Sequence, residues 1–316
     1  MGASASTRSS YADYAVAGPG RRRSATSDSV PISASPAAIV IEIATQRSQS
    51  LPSPGPETAD GPALVDCGPT TCAERLKEGL RERGLALADV RHLLLSHIHL
   101  DHAGAAGVLV REHPGLRVHV SEVGAPHLTD PARLERSARR LYGDEFDALW
   151  GELAPVPERN VDEVGGDVVG LECFPSPGHA EHHVCYVDRD GTLYAGDAAG
   201  VRIQPARFVM PPTPPPEIEL EAWETTLDEI ERRAPTRLAP IHFGVVSDPA
   251  PHLVELRRRL REWAAIVERG ASEEEFVAQV RREANEEALP AYEAAMPLWQ
   301  SYAGLKRYWD KRREAA

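Results

Sequence analysis

Four residues within six positions, His97-x-His99-x-Asp101-His102, offer three imidazoles and a carboxylate directly after the apolar run Val90 to Leu95. On extended backbone His97 and His99 project to the same side, and a turn would bring Asp101 and His102 around one cavity. Neutral imidazole and carboxylate suit borderline-soft divalent metals. Three protonated histidines so close together would repel one another unless exposed or metal-bound. Three later segments supply what the cluster lacks. Ser176-Pro177-Gly178-His179 is a tight turn after a predicted strand, and Leu193-Tyr194-Ala195-Gly196-Asp197 ends a strand in Gly-Asp. Pro240-Ile241-His242-Phe243-Gly244 sets a histidine at a strand-to-turn junction. Every candidate donor stands at a strand end, where a stiff sheet can fix a metal and leave one side open to substrate. The set contains only nitrogen and oxygen donors, which argues against a thiolate-rich zinc or iron–sulfur centre.

The elements that must position these groups follow from periodicity. Ala38 to Ile43 reads as a first strand, followed by a Ser-, Pro- and Gly-rich loop over 46–62 and then Ala63-Leu64-Val65-Asp66. Leu76 and Leu80, four apart, predict a helix over 70–83 that Gly84 stops. Val90 to Leu95 predicts a buried strand, Ala103 to Val110 the first turns of a helix, and Arg117 to Val120 another strand. Residues 130–160 read as helical, anchored by Tyr142 and Trp150. Strands are predicted at 168–174, 183–188 and 192–195, the last two joined by the hairpin signal Asp190-Gly191. A helix is expected from Glu217 to Arg233, and Leu238 to Ile241 as the short strand that delivers His242. Beyond Pro251, Leu253, Leu256, Leu260, Trp263 and Val267 recur by threes and fours, a buried helical stripe. Further helices are expected over 272–287 and 289–312. The mixed order predicts two sheets covered by helices, with a C-terminal helical appendage.

Size and charge bound the function. The chain has 316 residues, and 48 Asp and Glu against 35 Lys and Arg give a net charge of -13. That balance disfavours nucleic acid and anionic membrane as partners, since a phosphate backbone needs a concentrated positive footprint. It leaves a small-molecule substrate as the expected partner. The four cysteines (Cys67, Cys72, Cys173 and Cys185) make no CxxC pair and no disulfide scaffold, which fits a cytoplasmic location. No apolar run is long enough to span a bilayer, and the first residues hold no apolar signal core. Residues 1–36, rich in Ser, Ala, Gly and Pro, read as a disordered tail. No Rossmann fingerprint or Walker A loop is present.

His97, His99, Asp101 and His102, with His179, Asp197 and His242 following in order, resemble the metallo-β-lactamase superfamily, in particular its glyoxalase II-like and uncharacterised metallo-hydrolase branch. The resemblance covers about 210 residues and implies an α/β protein, an αββα four-layer sandwich with the site at one edge. It divides the chain into the tail at 1–36, a hydrolase domain at 37–250 and a C-terminal helical extension at 251–316. It also implies two divalent ions, zinc by default, with iron or manganese fitting the same ligands. Metal one would take His97, His99 and His179, metal two Asp101, His102 and His242, with Asp197 bridging. Asp66, in Leu64-Val65-Asp66-Cys67-Gly68, matches an aspartate that supports the ligands from behind. Family members commonly carry a histidine at the place of His183, which reads as structural or as orienting a ligand through its other nitrogen, with pocket lining as the alternative. His182 stands where relatives often carry Gly and reads either as pocket lining or, the expected outcome, as a solvated turn residue. His127 could reach the cavity rim, with a surface cap the expected outcome.

The activity implied is hydrolysis of a small thioester or ester by a metal-bridging hydroxide, with Asp101 passing a proton to the leaving group. A lactonase or a small-molecule phosphodiesterase is the alternative within this chemistry, and a non-catalytic metal-binding module the alternative outside it. An inert descendant would often have lost Asp101, Asp197 or His242, and all three are present. Tyr302, Lys306 and Arg307 form a basic and aromatic group near the end, able to grip an anionic substrate or to make an ordinary solvated helix face. Trp299, Tyr302 and Trp309 would support a homo-oligomer if they leave an apolar surface.

Overall fold

The computed structural model describes residues 43–44, 62–203, 205–240, 242, 244–284 and 288–315. The predicted tail at 1–36, the strand residues 38–42 and most of the loop over 46–62 lie outside these residues.

Five strands form a first sheet: β1 (Ile43–Ala44), β2 (Ala63–Val65), β3 (His92–Leu94), β4 (Arg117–Val120) and β5 (Val161–Glu163), in that order across the sheet. β2 to β5 run parallel, and β1 joins the edge antiparallel. Five more strands form a second sheet: β6 (Gly166–Val168), β7 (Leu171–Pro175), β8 (Val184–Val187), β9 (Thr192–Tyr194) and β10 (Arg237–Ala239). Their order is β10-β9-β8-β7-β6, with only the β10–β9 pair parallel.

Alternation along the strands builds the layers. Ala63, Val65, Leu94, Cys173, Val184, Tyr186 and Tyr194 share one cluster between the sheets. Their neighbours face outward. Leu64, Leu93 and Val118 pack under helices α1 (Ala73–Glu82), α3 (Ala106–Glu112) and α4 (Ala125–Thr129). Phe174, Cys185, Leu193 and Leu238 pack under α7 (Leu220–Arg233) and α8 (Pro249–Glu268). Strands covered on both faces read as continuous apolar runs, which is why Leu93-Leu94-Leu95 carries no polar interruption. Truncating a fully buried member such as Leu64 to alanine costs about 2–5 kcal/mol. The Tyr186 hydroxyl donates to the Leu95 carbonyl at 2.9 Å, tying the sheets together. The result is the αββα sandwich that the motif order implied.

The remaining helices are α2 (Leu100–Ala103), α5 (Ala132–Tyr142), α6 (Phe146–Trp150), α9 (Glu273–Glu283), α10 (Leu289–Ala295) and α11 (Leu298–Ala315). Two expectations need correction. The strand predicted over 168–174 is the end of β6 and the start of β7, because Val169 (φ 53°) and Gly170 (φ 83°) turn the chain in left-handed backbone. The helix predicted over 289–312 breaks between α10 and α11, where Met296 is extended and Pro297 cannot continue the hydrogen-bond ladder. The Leu253, Leu256 and Leu260 stripe of α8 packs into the second sheet's outer core. Trp263 joins Phe276, Val280, Tyr292 and Leu305 in a further cluster built by the C-terminal helices.

Candidate metal centre

One edge of the sandwich collects strand ends from both sheets. β2 ends before Asp66, β3 before Ser96 and His97, β9 before Asp197, and β10 before His242. β8 begins just after His183, and its Val184 N–H donates to the Ser96 carbonyl at 2.8 Å across the sheets. The α2 turn then places Asp101 and His102 over the same edge. Gly196 has left-handed backbone (φ 46°), and a Cβ there would sit 2.6 Å from both His183 Nε2 and Ser96 Oγ. Only glycine lets the β9 end approach the histidine loop and deliver Asp197.

The structure brings together all seven residues that sequence marked as ligand candidates. Three groups have donor atoms within 4.8 Å of one another: His97, His99 and His179; His97, His102 and Asp197; and Asp101, His102 and His242. His99 Nδ1 lies 2.9 Å from His97 Nε2 and 3.0 Å from His179 Nε2. Asp197 splits its carboxylate. Its Oδ2 is 3.3 Å from His179 Nε2, whereas its Oδ1 is 3.5 Å from His102 Nε2 and 3.3 Å from His242 Nε2. Asp101 Oδ2 stands 3.6 Å from both His102 Nε2 and His242 Nε2. Asp101 keeps 29% side-chain exposure and His99 is also partly exposed, while the other five are buried. Solvent therefore reaches the cluster at His99 and Asp101.

Ser96 N–H and Oγ–H donate to Asp66 Oδ1 and Oδ2 at 2.7 and 2.6 Å. Ser96 Oγ is then left to accept from His97 Nδ1–H at 3.0 Å, so the lone pair of a neutral His97 lies on Nε2. His179 Nδ1–H donates to the Pro212 carbonyl at 2.8 Å, which again leaves the lone pair on Nε2. A single proton on His99 Nδ1 can serve one of these two nitrogens and not both. His102 Nδ1–H donates to Asp66 Oδ2 at 2.8 Å, and its Nε2 is buried with no hydrogen-bond partner, as is Asp197 Oδ1. The lone pairs of His97 Nε2 and His179 Nε2 converge on His99 Nδ1, and the His102 and His242 nitrogens face the Asp101 and Asp197 carboxylates, an arrangement a cation resolves. Ligand nitrogens about 2.0–2.1 Å from one ion stand roughly 3 Å apart, the spacing found around His99. The two clusters have the geometry of a dinuclear metal centre.

Charge in the metal-free protein follows the same division. Burial, then the neighbouring His102, holds His97 well below the ordinary imidazole range. Burial, then His179, lowers His99 to about 3, and burial lowers His179. Burial also opposes the charged form of His102, but Asp101, Asp197 and Asp66 outweigh it and push this group up to about 10. Asp197 is fully buried, yet the charges of His102, His179 and His242 hold it well below the carboxylate range.

Asp66 sits behind His102 in left-handed backbone (φ 54°), a conformation uncommon outside glycine and found where geometry is over-determined. His183 Nε2 accepts from the Asp197 N–H at 3.2 Å, and its Nδ1–H donates to Ser176 Oγ at 2.7 Å. It thereby braces the backbone of Asp197. His182 is a correction: it is buried beside His97 and His99, with ring centroids 6.0 and 5.7 Å away, rather than solvated on a turn. Its ring is held by the Ile98 N–H, which donates to Nδ1 at 3.4 Å, and its backbone by Ser121 Oγ–H, which donates to its carbonyl at 2.7 Å. His127 is partly buried at the end of α4 and lines a small cavity with Ile98, Leu100 and Leu128. The Tyr302, Lys306 and Arg307 group is dispersed: Tyr302 Oη donates to the Ala271 carbonyl at 3.1 Å, Lys306 pairs with Asp310, and Arg307 Nε reaches the Pro216 carbonyl. Trp309 Nε1 donates to the Ala264 carbonyl at 2.9 Å, whereas Trp299 is 37% exposed. Sequence reasoning missed Ser96, whose only signal was its place between the strand and His97. It also missed the Pro212 carbonyl, and it read Tyr142 only as a packing anchor, whereas its phenol is raised by burial and by the charge of Asp101.

Residues 57–244 match the family model of the metallo-beta-lactamase superfamily. Among curated relatives, an uncharacterized protein of Bacillus subtilis (strain 168) is 29% identical over 117 residues, covering 36% of this chain and 48% of that one. An atrochrysone carboxyl ACP thioesterase of Pseudocercospora fijiensis (strain CIRAD86) is 24% identical over 125 residues, covering 39% and 29%. A hydroxyacylglutathione hydrolase of Alkalilimnicola ehrlichii is 30% identical over 136 residues, covering 43% and 41%. The chain thus spans about half, or less, of the length of these curated relatives. A metallo-beta-lactamase family protein from Thermus thermophilus has the same fold, with a TM-score of 0.60, 22% identity and coverage of 81% of this chain and 86% of that one. An archaeal superfamily protein from Sulfolobus tokodaii gives 0.55, 20%, 78% and 89%. With the family match extending over more than half of its length, the chain belongs to the metallo-beta-lactamase superfamily.

Proposed function

We propose that the chain is a dinuclear metal-dependent hydrolase of a small thioester or ester. The observation that carries this reading is the split carboxylate of Asp197, with one oxygen toward His179 and the other toward His102 and His242. His97, His99 and His179 would hold one divalent ion, and Asp101, His102 and His242 the other. When bound, such ions supply Lewis acidity and a water acidic enough to act as a nucleophile near neutral pH. Zinc suits the nitrogen and oxygen donors, and iron or manganese fits the same set.

The chain's own residues do the rest. Asp101, the partly exposed carboxylate of the cluster, would carry a proton to the leaving group. Asp66, itself fixed by Ser96, holds His102 through Nδ1, and His183 holds the Asp197 backbone. The names of two relatives, a thioesterase and a hydroxyacylglutathione hydrolase, support acyl transfer from sulfur. We read residues 37–250 as the catalytic unit and 251–316 as a helical extension fused to it through α8. Among the described residues no helix is long and apolar enough to cross a membrane; a cytoplasmic place is part of the proposal.

The test is a panel of acyl thioesters, p-nitrophenyl esters, lactones and phosphodiesters, run with metal-loaded and chelator-stripped protein. Thioester or ester cleavage that vanishes on stripping supports the reading. Cleavage confined to phosphodiesters would overturn the acyl assignment.

A further inference from the structure

The segment Pro211-Pro212-Thr213-Pro214-Pro215-Pro216 contains five prolines, so Thr213 alone can donate a backbone N–H. A segment with so few donors cannot be pinned by a sheet ladder. Yet its Pro212 carbonyl takes the proton of His179 Nδ1 at 2.8 Å and so fixes which nitrogen faces the centre. Something else must hold this carbonyl in place.

Three successive turns of α11 do so with one face. Thr213 is fully buried, and its Oγ1–H donates to the Ser301 carbonyl at 3.1 Å. One turn on, Gly304 lies so close that an added Cβ would overlap the Thr213 carbonyl oxygen and stand 2.8 Å from the Pro214 carbonyl carbon. A further turn on, Arg307 Nε donates to the Pro216 carbonyl at 3.4 Å. Gly304 sits inside a helix, where glycine is less stable than alanine, and the backbone-to-backbone approach is a physical reason to have it there.

We propose that α11 is a positioning element of the metal centre: its Ser301, Gly304 and Arg307 face seats the proline segment, and the Pro212 carbonyl thereby aims His179 Nε2 at the ion shared with His97 and His99. The inference rests on the assignment of these three histidines to one ion. It gives the C-terminal helix a role in metal retention without any of its side chains entering the ligand set. Partners that orient a ligand imidazole change metal affinity by about 10–100-fold when lost.

The experiment is a zinc titration of the metal-free chain in competition with a chromophoric chelator, with circular dichroism of each variant. Wild type should bind two ions, and His179→Ala should lose one of them. Thr213→Val, which removes the hydroxyl at nearly constant volume, and Gly304→Ala should each weaken that same ion at least about tenfold while the other ion and the secondary structure are retained. Thr213→Ser should restore it, which general loosening of the fold would not explain. If Gly304→Ala fails to fold, the Val and Ser pair at Thr213 decides. Wild-type affinity for both ions in Thr213→Val overturns the inference. Retention of both ions by His179→Ala overturns the metal assignment beneath it, a separate result.

Discussion

The His97, His99 and His179 group and the Asp101, His102 and His242 group meet at one aspartate, yet their surroundings differ in sign. Around the first, burial and neighbouring imidazoles disfavour any added proton, and His99 falls to about 3. Around the second, three carboxylates face His102 and raise it to about 10. Metal-free protein at neutral pH therefore presents neutral imidazoles in the first group and a protonated His102 in the second. An ion entering the first group displaces no proton, whereas an ion entering the second must displace that of His102. The supports differ too. The first group leans on a backbone carbonyl from a proline segment, the second on the Asp66 carboxylate. One half is preorganised by exclusion of charge, the other by its neutralisation.

The largest effect should come from the residue common to both. Asp197→Ala is expected to lower the hydrolytic rate by at least about 10^3-fold, the scale of removing a major electrostatic stabiliser, and to reduce bound metal in both groups. Metal analysis beside turnover checks it, and loss of metal from one group alone would break the idea of a shared carboxylate. Next in size is Asp101→Asn, which should lower kcat by about 10^2–10^3-fold with KM little changed, as for a lost proton carrier. Unchanged turnover in a fully metallated variant would remove Asp101 from that role.

Asp66→Ala sharpens the contrast between supports. It should weaken the ion of the His102 group by about 10–100-fold and the other ion less, measured by chelator competition. Equal weakening would mean that Ser96 transmits the loss to His97 just as strongly. The smallest effect, per step of the variable, is on pH. Between pH 7 and 9 the solution stays below the folded His102 value of about 10, so in the metal-free protein a proton competes with the ion throughout. Affinity at the second group should rise about tenfold per pH unit, one proton per ion, while the first group stays nearly flat. Parallel pH slopes for both ions would contradict the division of charge.

Much of this centre was legible because ligand chemistry is carried by side-chain type, and the seven donors stand at strand ends marked by apolar runs and Gly turns. The double-sided burial of β3 was also readable, in Leu93-Leu94-Leu95. The missed features belong to the backbone or to long-range packing. Val169 gives no sign that it will adopt φ 53°, since a β-branched residue favours extended backbone. His182 looked like a turn residue because the groups it meets, the Ile98 N–H and the Ser121 hydroxyl, lie 84 and 61 positions earlier. The Pro212 carbonyl and the close approach of Gly304 have no side-chain signature at all.

The most direct measurement is equilibrium dialysis of the metal-free chain against zinc, with bound metal per chain and thioester or ester hydrolysis read on the same samples. The account predicts two ions per chain at saturation and hydrolysis that rises with occupancy from a baseline near zero. Undiminished hydrolysis in the stripped samples, or saturation at one ion with full activity, would contradict it.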